Sequence, residues 1–165
     1  MRNKIVILIC LLFLVCGCSK KEEIKTIPEY DHDILCVSNI EDENDGDLES
    51  YLSNIYIKLD DNKNVTSAVY QSVSDSTVLD KAALELTNQF LSIYKGINGI
   101  EAFAENIDNK LVITIKYNYS EIDLETTKRK LGSIVDDNHI FKKVKKLPFS
   151  YEEYKKYELN GYECK

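Results

Sequence analysis

Cysteine is the residue type that could do the most chemistry in this chain, which holds five of them. Cys16 and Cys18 stand two apart in Leu14–Lys20, LVCGCSK, at the end of an apolar run, while Cys36 and Cys164 lie far apart in the remainder. A redox or metal-binding C-x-C pair needs thiolates in a polar or electropositive setting, and Cys16 sits inside a stretch of aliphatic side chains. His32 and His139 are lone histidines without cysteine or histidine partners at metal spacing, so they make no zinc set and read as surface residues. A serine nucleophile needs a base, yet only His139 falls inside the folded part, and neither G-x-S-x-G nor S-x-x-K occurs. The acidic stretch Glu41–Ser50, EDENDGDLES, offers Asp45 and Gly46 at the turn of a calcium loop. Glu41 and Glu43 stand where shorter ligands are needed, and Leu52 stands where a bidentate Glu belongs, so a solvated loop is expected, with a weak cation site as the alternative. The chain is therefore not expected to be an enzyme, and no cofactor or bound metal is expected.

What precedes Cys18 sets its chemistry. Arg2 and Lys4 open the chain, and Ile5–Val15, IVILICLLFLV, carries no polar side chain. As a helix of about eleven residues it rises about 16 Å, roughly half the hydrocarbon core of a bilayer. A basic start, a short apolar stretch and small residues at its end describe a signal peptide. Val15-Cys16-Gly17-Cys18 resembles the lipobox of bacterial lipoproteins. That resemblance implies cleavage after Gly17, a diacylglyceryl group on the Cys18 sulfur, and attachment through it to the outer face of a cell membrane. Residues 1–17 are then a cleaved signal, 18–33 a flexible tether, and 34–165 one folded domain. The tether, SKKEEIKTIPEYDHD after Cys18, is polar and without periodicity, with a coil reach of roughly 20 Å.

Removing the signal takes Arg2 and Lys4 and no acid, moving the balance from −7 to −9. Such a chain is a poor binder of nucleic acid, and a poor candidate for holding anionic headgroups by charge. Cys36 and Cys164 are left in a compartment where disulfides persist, at the two ends of the folded part. A bond between them is expected, with two separate thiols as the alternative.

The elements that must position these residues follow from periodicity. Ile34–Ser38 reads as a strand, Asn54–Asp60 and Val65–Val73 as a hairpin around Asp60–Asn64, and Ile100–Ile107 with Lys110–Tyr119 as a second one. Ser76–Gly96 takes helical period, with Leu79, Ala83, Leu86, Phe90 and Ile93 on one face. Ser120-x-x-Asp123 and Ser150-x-x-Glu153 are capping patterns ahead of two more helices, the first ending at Gly132 and the second at Asn160-Gly161. Ile140–Leu147 reads as a further strand stopped by Pro148. Hairpins dominate, which predicts an α+β two-layer sandwich: a largely antiparallel sheet of five to six strands with helices packed on one face.

Eleven tyrosines and no tryptophan leave one more feature. Tyr151, Tyr154, Tyr157 and Tyr162 cluster at the end, either packing the last helix on the sheet or forming an exposed stripe for a protein or glycan. Tyr51, Tyr56 and Tyr70 suggest a similar patch on an uncovered sheet face.

The order of these elements, with YKGINGIEAFAENIDNKLVITIKYNYSEIDLE (Tyr94–Glu125) and the closing YEEYKKYELNGYEC (Tyr151–Cys164), resembles the YehR-like family of small bacterial lipoproteins. The match covers most of residues 34–164, and departs in the first hairpin, where LDDNKN stands in place of a glycine-containing turn. It implies a compact α/β two-layer domain and carries over no catalytic residues. The resulting expectation is a monomeric, lipid-anchored binding or interaction module on the extracytoplasmic face of a bacterial membrane, with an envelope protein as partner. The rivals are a small enzyme or ligand sensor, and a subunit of an envelope assembly.

Overall fold

The computed structural model describes residues 25–44, 47–74, 81–132, 134–135 and 139–165. Its frame is a seven-stranded antiparallel sheet: β1 (Ile34–Asn44), β2 (Asp47–Leu59), β3 (Asn64–Ser74), β4 (Ile100–Ile107), β5 (Lys110–Asn118), β6 (Phe149–Ser150) and β7 (Glu163–Cys164). The spatial order is β4-β5-β3-β2-β1-β7, with β6 paired to the start of β3. Among the described residues four α-helices accompany it: α1 (Lys81–Leu91), α2 (Leu124–Leu131), α3 (Ile140–Lys143) and α4 (Tyr151–Glu158). The expected α+β class and antiparallel sheet are what the structure shows.

Alternation decides the two faces. Ile55 and Ile57 of β2, Tyr70 of β3 and Tyr117 of β5 point to the face covered by α2, α3 and α4, where Leu131, Ile140, Phe141, Phe149 and Tyr154 complete the core. Tyr119 is nearly fully buried, its ring 4.8 Å from Phe149 edge-on, and Phe149 stacks on Tyr154 at 5.6 Å. Such aromatic pairs contribute beyond the area they bury. The register slips between Lys58 and Leu59, opposite Thr66, so Val65 packs with the helices while Val73 joins Ile107 and Val112 in a small cluster on the other face. One continuous face for Val65, Val69 and Val73, as alternation suggests, is interrupted by that bulge.

The turns follow their residues. Asp60 closes β2–β3 by accepting from the backbone N–H of Asn62 (2.9 Å) and of Asn64 (2.8 Å), and Lys63 takes the left-handed conformation at φ 62°. Asp108 and Asn109, at φ 52° and 62°, make the β4–β5 turn, with positive φ at both central residues as a two-residue hairpin connection requires. Ser150 caps α4 by accepting from Glu153 N, and Asp123 caps α2 by accepting from Glu125 N and Thr126 N. Gly99 (φ +77°) brings its carbonyl to Asn118 N at 2.7 Å, and a Cβ there would meet the Asn118 carbonyl oxygen at the same 2.7 Å.

Four expectations change. Ile140–Leu147 is a short helix and an irregular segment instead of a strand: Ile140, Phe141 and Val144 are buried at helical spacing, and His139 accepts from Phe141 N at its start. The acidic loop is strand: Glu41–Asn44 pairs with Asp47–Ser50 down to Asn44 opposite Asp47, so its backbone runs in an extended ladder instead of wrapping around a cation. Asp45 and Gly46 lie outside the described residues, as does Leu79 of the first helical face. The helix face read from Ala83, Leu86, Phe90 and Ile93 does not enter the core as a unit: Leu86 is 53% and Phe90 68% exposed. Instead α1 lies along the free edge of β4, where the Asn88 side chain donates to Ala104 O (3.0 Å) and accepts from Ala104 N (2.9 Å). One amide group reproduces the pair of bonds a neighbouring strand would offer, covering an open edge.

The fourth change is in the tether. Residues 25–33 run across the helix-free face from β1 to β4. Gln71 Nε2 donates to Pro28 O (2.9 Å), Tyr30 and His32 meet the Tyr56 ring edge-on at 5.4 Å, and Lys25 Nζ reaches Glu105 at 3.3 Å. This strap buries Tyr56 and Gln71 and is held at its β1 end by Asp33, which accepts from Leu59 N at 2.8 Å. That hydrogen bond, with the Lys58 ammonium beside it, lowers the Asp33 pKa.

Candidate functional site

Each residue singled out in the sequence has a place in this frame. Cys18 lies outside the described residues. Cys36 and Cys164 meet, as expected, with sulfurs 2.08 Å apart and facing each other across the β1–β7 pair. Cys36 is fully buried and Cys164 exposed, so the bond staples the chain end to the core. The flanking backbone is doubly bonded, Leu35 N to Lys165 O (3.1 Å) and Lys165 N to Leu35 O (2.9 Å).

The four C-terminal tyrosines do not form one exposed stripe. Tyr154 is fully buried, and its hydroxyl donates to the Tyr70 hydroxyl (2.5 Å), which in turn donates to Glu158 (2.7 Å). Tyr162 is half-buried, with its hydroxyl 2.7 Å from the Ser53 hydroxyl; Tyr151 packs at the core margin. Tyr157 faces a surface concavity. Tyr56 and Tyr70 point to opposite faces of the sheet, one under the strap and one under α4, so no patch joins them. Burial pushes the hydroxyl pKa values of Tyr70, Tyr117, Tyr119 and Tyr154 well above the ordinary tyrosine value, with neighbouring hydroxyls and Glu158 modulating the effect. These are structural hydroxyls, held neutral in an aromatic core.

The histidines are half-buried instead of free on the surface. His32 places Nδ1 2.7 Å from Tyr30 O within the strap, and His139 caps α3 and stacks on Phe141 at 5.4 Å. Among the described residues no group of three or more His, Cys, Asp or Glu side chains is placed to hold a metal ion.

Besides a concavity of about 520 Å³ between α1 and β4, beside Asn88, Leu91 and Phe103, two further open concavities among the described residues are places where another molecule could sit. One, of about 600 Å³, is formed where β4 and β5 meet the Gly99 turn and is lined by Thr66, Asn98, Glu101, Lys116, Asn118 and Glu121. Its polar groups partly satisfy one another: Asn118 Nδ2 donates to Glu121 (2.8 Å), Asn98 Nδ2 to Glu121 O (3.1 Å), and Lys116 lies 3.5 Å from Glu101. The other, of about 850 Å³, lies between α3 and α4 and is lined by Lys143, Glu152, Lys155, Lys156 and Tyr157, with the Lys156 ammonium 5.5 Å from the Tyr157 ring. Lysines bracketing an aromatic ring suit an anionic or aromatic group. Neither place was legible in the sequence: the first gathers residues from three separate segments, and the second depends on residues 140–143 being helical.

Comparison with known proteins finds no matching protein-family model and no matching curated protein. A solved NMR structure of a protein from Streptococcus pneumoniae TIGR4 is similar at 13% identity, covering 86% of this chain and 92% of that one with a TM-score of 0.44. No helix of the described residues is long and apolar enough to cross a membrane.

Proposed function

We propose that this chain is a lipid-anchored module on the extracytoplasmic face of a bacterial membrane, working by binding a partner rather than by catalysis. The observation that carries this reading is Val15-Cys16-Gly17-Cys18 after the short apolar run Ile5–Val15. The acyl chains on Cys18 hold the domain at the bilayer, since more than one chain is needed for stable anchoring. The resemblance to YehR-like lipoproteins and the Cys36–Cys164 pair, suited to an exported protein, support the same reading. The aromatic core and the stapled end make a rigid body, and the two concavities are the surfaces it offers to an envelope protein or other partner.

The polar groove at Glu101, Lys116 and Asn118 favours one second reading, a sensor of a small polar ligand, because its donors and acceptors converge on open space. Metabolic labelling with palmitate tests the anchoring: the wild type takes up label and fractionates with membranes, and Cys18→Ser does neither. Unlabelled wild-type protein released into the medium would refute it. Crosslinking in intact cells separates a protein partner from a small ligand.

A further inference from the structure

Helix α1 has no fully buried residue: Leu84, Thr87 and Leu91 are half-covered, while Ala83, Leu86 and Phe90 are exposed and apolar. Leu84, Asn88 and Leu91 turn toward β4 and the sheet edge, while Ala83, Leu86 and Phe90, rotated about 100° per residue from them, point away. Leu86 and Phe90 are two of the five large hydrophobic side chains left exposed among the described residues, and they sit one turn apart.

Where the strap ends indicates what covers them. Lys25, at its outer end, holds Glu105, the neighbour of the Ala104 that Asn88 grips, so the strap leaves the domain beside the middle of α1. Cys18 precedes Lys25 by seven residues, at most about 25 Å of extended chain. Acyl groups on that cysteine keep the bilayer within reach of the β4 edge and of the helix along it. The exposed apolar area, centred on two large side chains, falls far short of the roughly 800 Å² per partner that a stable dimer uses. For a protein already held by its lipid, a small apolar face is enough to set orientation, and it needs no help from charge in an acidic chain.

We propose that the Ala83–Leu86–Phe90 face of α1 seats in the headgroup region of the bilayer that holds Cys18, fixing the domain with its β4 edge against the membrane. This rests on the anchoring reading above. The arrangement turns β1 and β7, at the opposite sheet edge, away from the bilayer, and with them the stapled chain end.

The test uses the full processed lipoprotein in phosphatidylglycerol–phosphatidylcholine vesicles. Leu86→Cys, Phe90→Cys and Lys156→Cys each add one free thiol for bimane, since Cys18 carries lipid and Cys36 is bonded to Cys164. With nitroxide-bearing lipids, bimane at 86 and 90 should lose fluorescence and shift to the blue, while bimane at 156 stays unchanged. Vesicle-bound protein with no quenching at 86 and 90 overturns the proposal, and so does quenching at 156 alone, which would place the lysine-lined face on the membrane. A blue shift at 86 and 90 without quenching, together with Leu86→Cys crosslinks between copies, assigns the face to a second copy and also overturns it. Protein that stays off the vesicles overturns the anchoring reading and this one with it.

Discussion

Replacing Cys164 with alanine isolates what the staple contributes. Cys164 is the partner to change, because Cys36 is fully buried and a lone thiol there still packs as a small apolar group. The bond spans a sequence separation of 128, and for a closed loop of that length the chain-entropy treatment gives about 5 kcal/mol at 25 °C. Strand β7 itself adds little to the folded state: it pairs with β1 over two residues, Glu163 and Cys164, with the Leu35–Lys165 backbone bonds beside them, all at a solvent-exposed end. Nearly all of the effect therefore comes from the unfolded chain regaining its freedom. For a denaturant slope of about 2 kcal/mol per molar, the urea midpoint falls by roughly 2.5 M. Tyrosine fluorescence can follow the transition, since the chain has no tryptophan. Reductant should bring the wild type down to the Cys164→Ala midpoint and leave that variant where it is. Equal midpoints for oxidised wild type and Cys164→Ala would refute the reasoning, as would a reductant shift in the variant.

Other expectations concern the core, the strap and alkali. Phe149→Ala removes a ring packed between Tyr119 and Tyr154 and should cost about 3–5 kcal/mol in urea unfolding; a loss under about 1 kcal/mol would mean the site is loosely packed. Gln71→Ala removes the donor that holds Pro28 and should open Lys25–Asp33 to limited proteolysis before the sheet unfolds, whereas unchanged cleavage kinetics would show the strap is held elsewhere. Tyr70, Tyr117, Tyr119 and Tyr154 have pKa values raised in the folded state above the unfolded value of 10.0. The folded protein therefore holds these protons more tightly, so stability is intact below pH 10 and falls as pH rises above it. Absorbance at 295 nm should show the four ionising only as the fold melts, and complete tyrosine ionisation with native circular dichroism would contradict their burial.

What could be read from the sequence was local and periodic. Strand β5 appears in the alternation of Leu111, Ile113, Ile115 and Tyr117, and α4 in the Ser150 cap and Gly161 stop, because alternation and capping are set by near neighbours. The α1 face failed for a tertiary reason: the apolar stripe is real, but the polar Asn88 faces the sheet because its amide matches a free strand edge. Residues 140–147 mix β-branched and basic residues and fit either period, and packing of Phe141 against Tyr117 resolves them as helix first. The acidic segment hid a hairpin that Asp45-Gly46, a favoured two-residue turn sequence, could have announced. The strap has no periodicity, so only its partners Tyr56 and Gln71 reveal it. Of the candidate site, the cysteine pair was legible from compartment and position, while the two concavities are assembled from distant segments and were not.

The most direct test of the account is the mass of the mature N-terminal peptide from membrane-extracted protein. The expected peptide begins at Cys18 and is heavier by a diacylglyceryl group on its sulfur. A peptide that begins elsewhere, or an unmodified Cys18 thiol, would contradict it.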